Sequence, residues 1–427
     1  MINPEGDHIQ RILAVLHENI SRSNQLQQSF MEHQAQVLQT IAADIGFSNQ
    51  SVSATFLPQP VITRTQLEEF GTGSIAKCFG PDFKILDQRK SPRIPNGDLL
   101  MIDRVLKISG KRGNLNPPAS ITTEFGIPKD IWFINQNTYP GSPLGVLMEI
   151  ALQPSGILSA YLGTSLMIPA DVNLFRNLDG TISFISCPGL LGKTVTNHSW
   201  LLSSVSAGGM VIQKFAFELS IGGSVFLTGE SSFGYFRQAD MDRQTGLDVG
   251  EKTQPGRFGG TNRDDYHRVE SASIFPQGDA STKPYLDLID RLYLKENGGK
   301  YGLGVIIGEK ELTGNEWFYE NHFFQDPVMP GSLGIEAIIQ GLWAYAKYFQ
   351  KDTNFHNPLI DFSFNEPLYW KYRGQVIPAN REIKFEILLK TKYISDSSIK
   401  LAGDADFWVD DVRIYTIQNI SMKLSEG

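Results

Sequence analysis

The chain carries the same arrangement of side chains twice. Each half has an Ile-Asp-Arg triplet, at 102–104 and 289–291, and later a Trp-Phe pair, at 132–133 and 317–318. Four residues after each pair stands a polar side chain, Asn137 or His322. Each half then places a proline six residues before a glutamate and a glutamine four residues after it: Pro143, Glu149 and Gln153, then Pro330, Glu336 and Gln340. A duplicated sequence has to find one fold that works twice, which narrows the architecture more than composition does. The glutamates sit in VLMEIALQ and GIEAIIQ, apolar on every side, so each belongs to a helix that must be buried. Alternating patterns follow, MVIQKFAFELSI (210–221) and REIKFEILLKTKY (381–393). Each half closes on a hairpin-like pair, SVFLTGESSFGYF or ADFWVDDVRIYTIQNISMKL. Half-polar strands of this kind cover a helix with one face of an antiparallel sheet. The expectation is α+β, a sheet wrapped around a long helix, built twice. Pro154, one residue after Gln153, is expected to bend or end the first helix.

The stretch 237–273, RQADMDRQTGLDVGEKTQPGRFGGTNRDDYHRVESAS, is polar and rich in Gly, Asp and Arg, and reads as a surface connection. It separates a first unit, 60–236, from a second, 274–427. At 427 residues the chain is too long for one core, and two or three domains are expected. Within residues 1–50, the segment 7–45 reads as a separate helix: Ile9, Leu13, Leu16 and Ile20 form a seam at spacings of four, three and four. It is either a docking or dimerising helix or a linker packed on its own domain. The net charge is −8 and basic residues form only short clusters, which argues against nucleic acid as a partner. Two cysteines, Cys78 and Cys187, supply neither a disulfide framework nor a cysteine metal site and suit a reducing, cytoplasmic setting. No apolar run is expected to reach the roughly 18 residues of a bilayer span. The first residues lack the basic start and continuous apolar stretch of a signal peptide.

Four stretches, GDLLMIDRVLKI, WFYENHFFQDPVMPGSLGIEAIIQ, YRGQVIPANREIKFEI and DDVRIYTIQNISMKL, resemble the bacterial 3-hydroxydecanoyl-ACP dehydratase family, enzymes of the hotdog fold. The likeness runs along the second half, and HFxxDPVMPGSLG is its most specific part. QLEEFGTGSIAKCFGPDFKILD (66–87) and VLMEIALQPSGILSAYLG (146–163) resemble the tandem-hotdog dehydratase domains of polyunsaturated fatty acid synthases and related polyketide-type systems. Together the resemblance covers roughly residues 60–427 and implies a double hotdog, two antiparallel sheets each wrapped around a long helix.

Dehydrating a β-hydroxyacyl thioester needs a base for the α-proton, a donor to the carbonyl oxygen and an acid for the departing hydroxyl. A histidine suits the first, since its pKa lies near neutral. A backbone N–H where a Gly turn feeds a helix suits the second. A carboxyl group buried among apolar residues keeps its proton and suits the third. His322, Gly331 and a helix glutamate supply these types, and the chain shows no metal or nucleotide motif. Each type alone more often plays a structural part; their order carries the reading. In the first half Asn137 cannot act as a general base. Six residues instead of eight separate it from the proline, and Leu144 replaces Gly331. Glu149 is nevertheless kept.

The dimeric family shares each active site between two hotdogs. Carried onto this chain, that implies His322 as base with Glu149 as acid and the Gly331 N–H on the carbonyl. Glu336, the alternative acid, would then face Asn137 in a degenerate site, with Gln153 and Gln340 as supporting residues. Glutamate in place of the family's aspartate leaves double-bond isomerisation open. The implied substrate is a (3R)-hydroxyacyl chain on the phosphopantetheine arm of an acyl carrier protein, with no further cofactor. Other synthase subunits or domains are implied partners, and the two halves form a pseudo-dimer, with homodimerisation a further option. Arg89, Lys90 and Arg93, or Lys371 and Arg373, or Lys390 and Lys392, are candidates for receiving an acidic carrier. Two other functions fit the same fold: an acyl-thioesterase, and a non-catalytic module that holds acyl chains.

Overall fold

The computed structural model describes residues 60–207, 209–256, 263–275, 286–349, 358–362, 366–395 and 397–426. The helix expected at 7–45 lies outside them. The two glutamate segments are long helices, α1 (Leu144–Tyr161) and α2 (Gly331–Phe349). Of their residues, 14 of 18 in α1 and 15 of 19 in α2 are buried, as an all-round apolar helix requires. By length and composition α1 does match a membrane span, with mean hydropathy 1.2 over 18 residues, contrary to the sequence expectation. Here protein covers it, with 78% of that window buried, as in the core helix of a globular domain.

One of the two outcomes expected of Pro154, an end to the helix, is also excluded. Pro154 neither ends nor splits α1, which runs through it to Tyr161. A helical proline lacks the N–H that would bond the carbonyl four residues back, here Ile150. The buried Asn197 side chain takes over, its Nδ2 donating to Ile150 O at 3.0 Å and Ala151 O at 2.9 Å. Ser199 Oγ in turn donates to Asn197 Oδ1 at 2.6 Å and fixes the amide's orientation.

The first half contributes strands β1 (Arg104–Ser109), β2 (Ser120–Gly126), β3 (Val172–Phe184), β4 (Thr194–Ala207), β5 (Met210–Ile221) and β6 (Ser224–Arg237). The second contributes β7 (His267–Glu270), β8 (Arg291–Lys295), β9 (Val305–Glu311), β10 (Pro358–Asp361), β11 (Leu368–Tyr372), β12 (Glu382–Ser395), β13 (Ser398–Val409) and β14 (Val412–Glu426). They form one antiparallel sheet in the order β1-β2-β4-β5-β6-β3-β11-β14-β13-β12-β9-β8-β7, with β10 paired to β14. The sequence repeat is therefore a repeat of topology: in each half a hairpin, β1-β2 or β8-β9, leads to three long strands and then to β3 or β11, while β7 adds an outer edge strand to the second half alone. The halves meet where the equivalent strands β3 and β11 pair, Ile182 opposite Leu368 and Gly180 opposite Trp370. An interface made by the same strand of both copies is self-complementary, as in a two-fold dimer. Gly180 is glycine because a Cβ there collides with the Trp370 ring. That ring is fully buried and donates from Nε1 to Asn177 Oδ1 at 2.7 Å.

The helices also touch. A Cβ on Gly145 would lie 2.9 Å from Ser332 O and 3.0 Å from Glu336 Cβ, so only glycine permits the approach of the two N-terminal turns. Shared sheet and helix contact make Gln59–Gly427 one compact unit. The described part of the 237–273 connection is tied down over the second half. Leu247 N–H donates to Arg413 O and Thr253 N–H to Asp411 O, both at 2.8 Å, and Asp248 pairs with Arg413. Its end supplies β7, the edge strand beside β8.

Candidate active site

His322 follows the short helix Phe318–Asn321, and the chain then turns through FFQDPVMP into α2. The histidine's Nδ1 lies 2.8 Å from Val328 O. A carbonyl only accepts, so Nδ1 carries the proton and Nε2 is left as a lone-pair base. Burial pushes the imidazole pKa down to about 4 from 6.5, and the nearby Arg176 guanidinium adds to this; the Val328 hydrogen bond and Asp326 oppose it. His322 is thus neutral in ordinary buffers. Its loop is held from the other half: Arg176, on β3, makes a bidentate pair with Asp326, Nη1–Oδ2 at 2.6 Å and Nη2–Oδ1 at 2.7 Å. The planar guanidinium fits a carboxylate in only one plane, so the pair fixes orientation as well as distance. Arg176 also donates from Nε to Gln375 Oε1 at 3.0 Å.

Gly331 opens α2 behind Pro330, where backbone N–H groups of the first turn have no partner inside the helix. A Cβ at this position would lie 2.6 Å from the Tyr372 ring, so a close aromatic approach demands glycine. Glu149 comes from α1 and is 7% exposed. Ser332 Oγ donates to its Oε1 at 2.5 Å and Gln153 Nε2 to its Oε2 at 2.8 Å. Burial raises the Glu149 pKa above the usual carboxylate value, against the opposing pull of these two donors. Gln153 is itself pinned, donating to Leu99 O at 2.7 Å and accepting from Met101 N–H at 3.0 Å.

One cleft gathers His322, Gly331, Glu149, Gln153, Ser332 and Tyr372. It is open at its mouth, and its lining is largely apolar with a few polar groups converging on it, the character of a site for an organic ligand. Along α1 it is lined by Glu149, Leu152, Gln153 and Gly156, one helix face, and it continues past Phe175 and Phe233. The histidine-bearing loop and the carboxyl therefore come from opposite halves.

The other sequence candidates lie elsewhere. Glu336 is fully buried, and its Oε2 accepts from Gly145 N–H at 2.9 Å, at the start of α1. Burial lifts its pKa to about 7, with Gly145, Tyr139 and Leu144 pulling the other way. Asn137 was expected to face Glu336, but its hydrogen bond goes to Gly141 O, at 3.0 Å. The side chain beside Glu336 is Tyr139, in the shortened loop. Gln340 donates to Leu286 O at 2.8 Å, matching the Gln153–Leu99 bond of the first half. Its Oε1 and Glu336 Oε1 have no hydrogen-bond partner among the described residues. Of the basic candidates, Arg93 is 9% exposed and donates to Phe70 O and Gly73 O, so it closes a helix end. Lys390 pairs with Asp404 at 2.6 Å and Lys392 donates to Glu296 O at 2.9 Å. Ser332, Tyr139, Tyr372 and the Arg176–Asp326 pair were not singled out from sequence. Asp326 and Ser332 lie inside the HFxxDPVMPGSLG stretch and Tyr372 opens YRGQVIPANREIKFEI, but nothing in those stretches marked the three side chains; Tyr139 and Arg176 lie outside every quoted stretch.

Residues 281–418 match the model of the FabA-like domain. Over 395 residues the chain is 31% identical to a polyunsaturated fatty acid synthase polypeptide of Thraustochytrium sp., covering 86% of this chain. It spans only 26% of that protein's length. Among solved structures it is similar to an isomerase-inactive variant of GphF DH1, with TM-score 0.41, 13% identity and coverage of 76% of this chain and 96% of the other. The dehydratase heterocomplex ApeI:P from Xenorhabdus doucetiae gives TM-score 0.28 and 15% identity over 35% of this chain and 92% of the other.

Proposed function

The chain carries a FabA-like domain over residues 281–418, and from that premise we propose that residues 60–427 are a double hotdog with one working dehydratase site. The reaction is conversion of a (3R)-hydroxyacyl thioester, carried on an acyl carrier protein, to the trans-2-enoyl thioester in lipid assembly. The observation that supports it is the meeting of His322 and Glu149, from opposite halves, in one cleft. His322 Nε2 takes the α-proton. The electron pair moves towards the carbonyl oxygen, to which the Gly331 N–H donates a hydrogen bond. Glu149 gives its proton to the β-hydroxyl, which leaves as water while the new double bond forms. Return of the proton from His322 to Glu149 resets the site. Burial lowers the pKa of the histidine and raises that of the carboxyl, the two directions that favour an unprotonated base beside a protonated acid.

The test follows enoyl formation from a 3-hydroxyacyl thioester for the parent, His322→Ala, Glu149→Gln and Glu336→Gln. Loss of at least about a hundredfold in the first two variants is expected, with Glu336→Gln near the parent. Loss in Glu336→Gln with Glu149→Gln intact would show that the second half works alone. Release of free thiol without enoyl product would make the chain a thioesterase.

A further inference from the structure

Tyr372 ends β11 at the floor of the cleft. It is 7% exposed, and its hydroxyl has no hydrogen-bond partner among the described residues. Among the described residues that line the cleft, no other buried side-chain polar atom is left so. A buried hydroxyl without a partner is destabilising, and phenylalanine would fill the same space without that cost. The ring is also held firmly. It packs on Tyr415, centroids 4.3 Å apart, and lies against Gly331, whose Cβ position is 2.6 Å from Cε2 and 3.1 Å from the hydroxyl oxygen.

An enolate oxygen can accept from more than one donor, and the Gly331 N–H supplies one. The Tyr372 hydroxyl stands beside the same glycine, while Glu149 is the group assigned to the β-hydroxyl. Resting on the dehydration proposed above, we infer that Tyr372 is a catalytic residue whose hydroxyl donates a second hydrogen bond to the thioester carbonyl oxygen. Burial keeps the phenol pKa well above its usual value of 10, so it stays a donor throughout the working range. The bond is made to charge that develops in the reaction, so its effect falls on turnover more than on binding.

The test is Tyr372→Phe in the full chain. Enoyl formation should show kcat lower on the order of a hundredfold, KM little changed and a thermal midpoint no lower than the parent's. A parent-like kcat overturns the inference. So does a reduced kcat together with a reduced midpoint, which would mean that the hydroxyl holds the fold. The carbonyl is then read directly in a His322→Ala background, which blocks turnover, by vibrational difference spectroscopy of a bound trans-2-enoyl thioester. This probe has no β-hydroxyl. Adding Tyr372→Phe should move the bound C=O band towards its free-solution position, and an unmoved band overturns the carbonyl assignment. If the parent makes no enoyl product and the His322→Ala chain binds no enoyl thioester, the dehydratase reading itself falls. That outcome is distinct from any result that concerns Tyr372 alone.

Discussion

Glu149 and Glu336 occupy the same place in the repeat and have different surroundings. Both are buried in apolar helices, and each takes a hydrogen bond from the N-terminal turn of the other helix: Glu149 from Ser332, Glu336 from Gly145. Glu149 opens onto the cleft with Gln153 steadying its second oxygen. Glu336 is closed in, with Tyr139 beside it where the shortened loop passes. Of the two, only Glu149 lines the cleft that also holds His322. The pH profile should report this. His322 must be neutral to accept a proton, and its depressed pKa of about 4 sets the acid limb of kcat/KM there, not at the ordinary 6.5. At pH 5.5 a histidine of ordinary pKa would be roughly nine-tenths protonated and its rate about a tenth of the plateau. For this chain the rate at pH 5.5 should stay within about twofold of the plateau. On the proposed mechanism the alkaline limb is Glu149 losing its proton, and it should lie above the usual carboxylate value. An acid limb near 6.5 in kcat/KM would show that His322 is solvated in the working enzyme.

At the scale of elements, α1 shows where a one-dimensional reading stops. Its existence and burial were legible from the apolar run around Glu149. Its passage through Pro154 was not, because the compensating donor is Asn197 on β4, distant in sequence and unmarked by any pattern. The same holds for Ser332 and Tyr139: nothing local says which carboxylate a serine will meet, or that a deletion beside Asn137 will bring a tyrosine to Glu336. The Asn197 argument can be measured. Asn197→Ala leaves the Ile150 carbonyl buried and unpaired, which should cost on the order of 2 kcal/mol in denaturant unfolding. Pro154→Ala restores the N–H that can bond this carbonyl within the helix. In that background the Asn197→Ala cost should shrink by more than half, a coupling visible in a double-mutant cycle. Equal costs in both backgrounds would mean that Asn197 acts through packing alone.

For the whole molecule, duplication has turned what two chains would share into one chain's interior. The halves exchange β3–β11 pairing, the Arg176–Asp326 ion pair and the bond from Asn96 N–H to Asn321 O at 2.8 Å. The repeated tryptophans, Trp132 and Trp317, meet edge to face with centroids 5.2 Å apart. The repeat itself was readable from sequence. That its two copies share one sheet, with the His322 loop held by a first-half arginine, needed the pairing of β3 with β11. This arrangement makes a prediction that a dimer of single units would not. Two inactive chains, His322→Ala and Glu149→Gln, each keep the residue the other lacks. If the site formed between chains, refolding an equal mixture would place an intact histidine against an intact glutamate in a sizeable fraction of sites, and activity would return. With the proposed site, both residues belong to one chain, so the mixture should stay as inactive as its components. A double variant carrying both changes should be no worse than the weaker single, since either change already breaks the one proton path. Recovered activity in the mixture would mean that the halves of different chains pair across β3 and β11, with the internal seam opened to make that exchange.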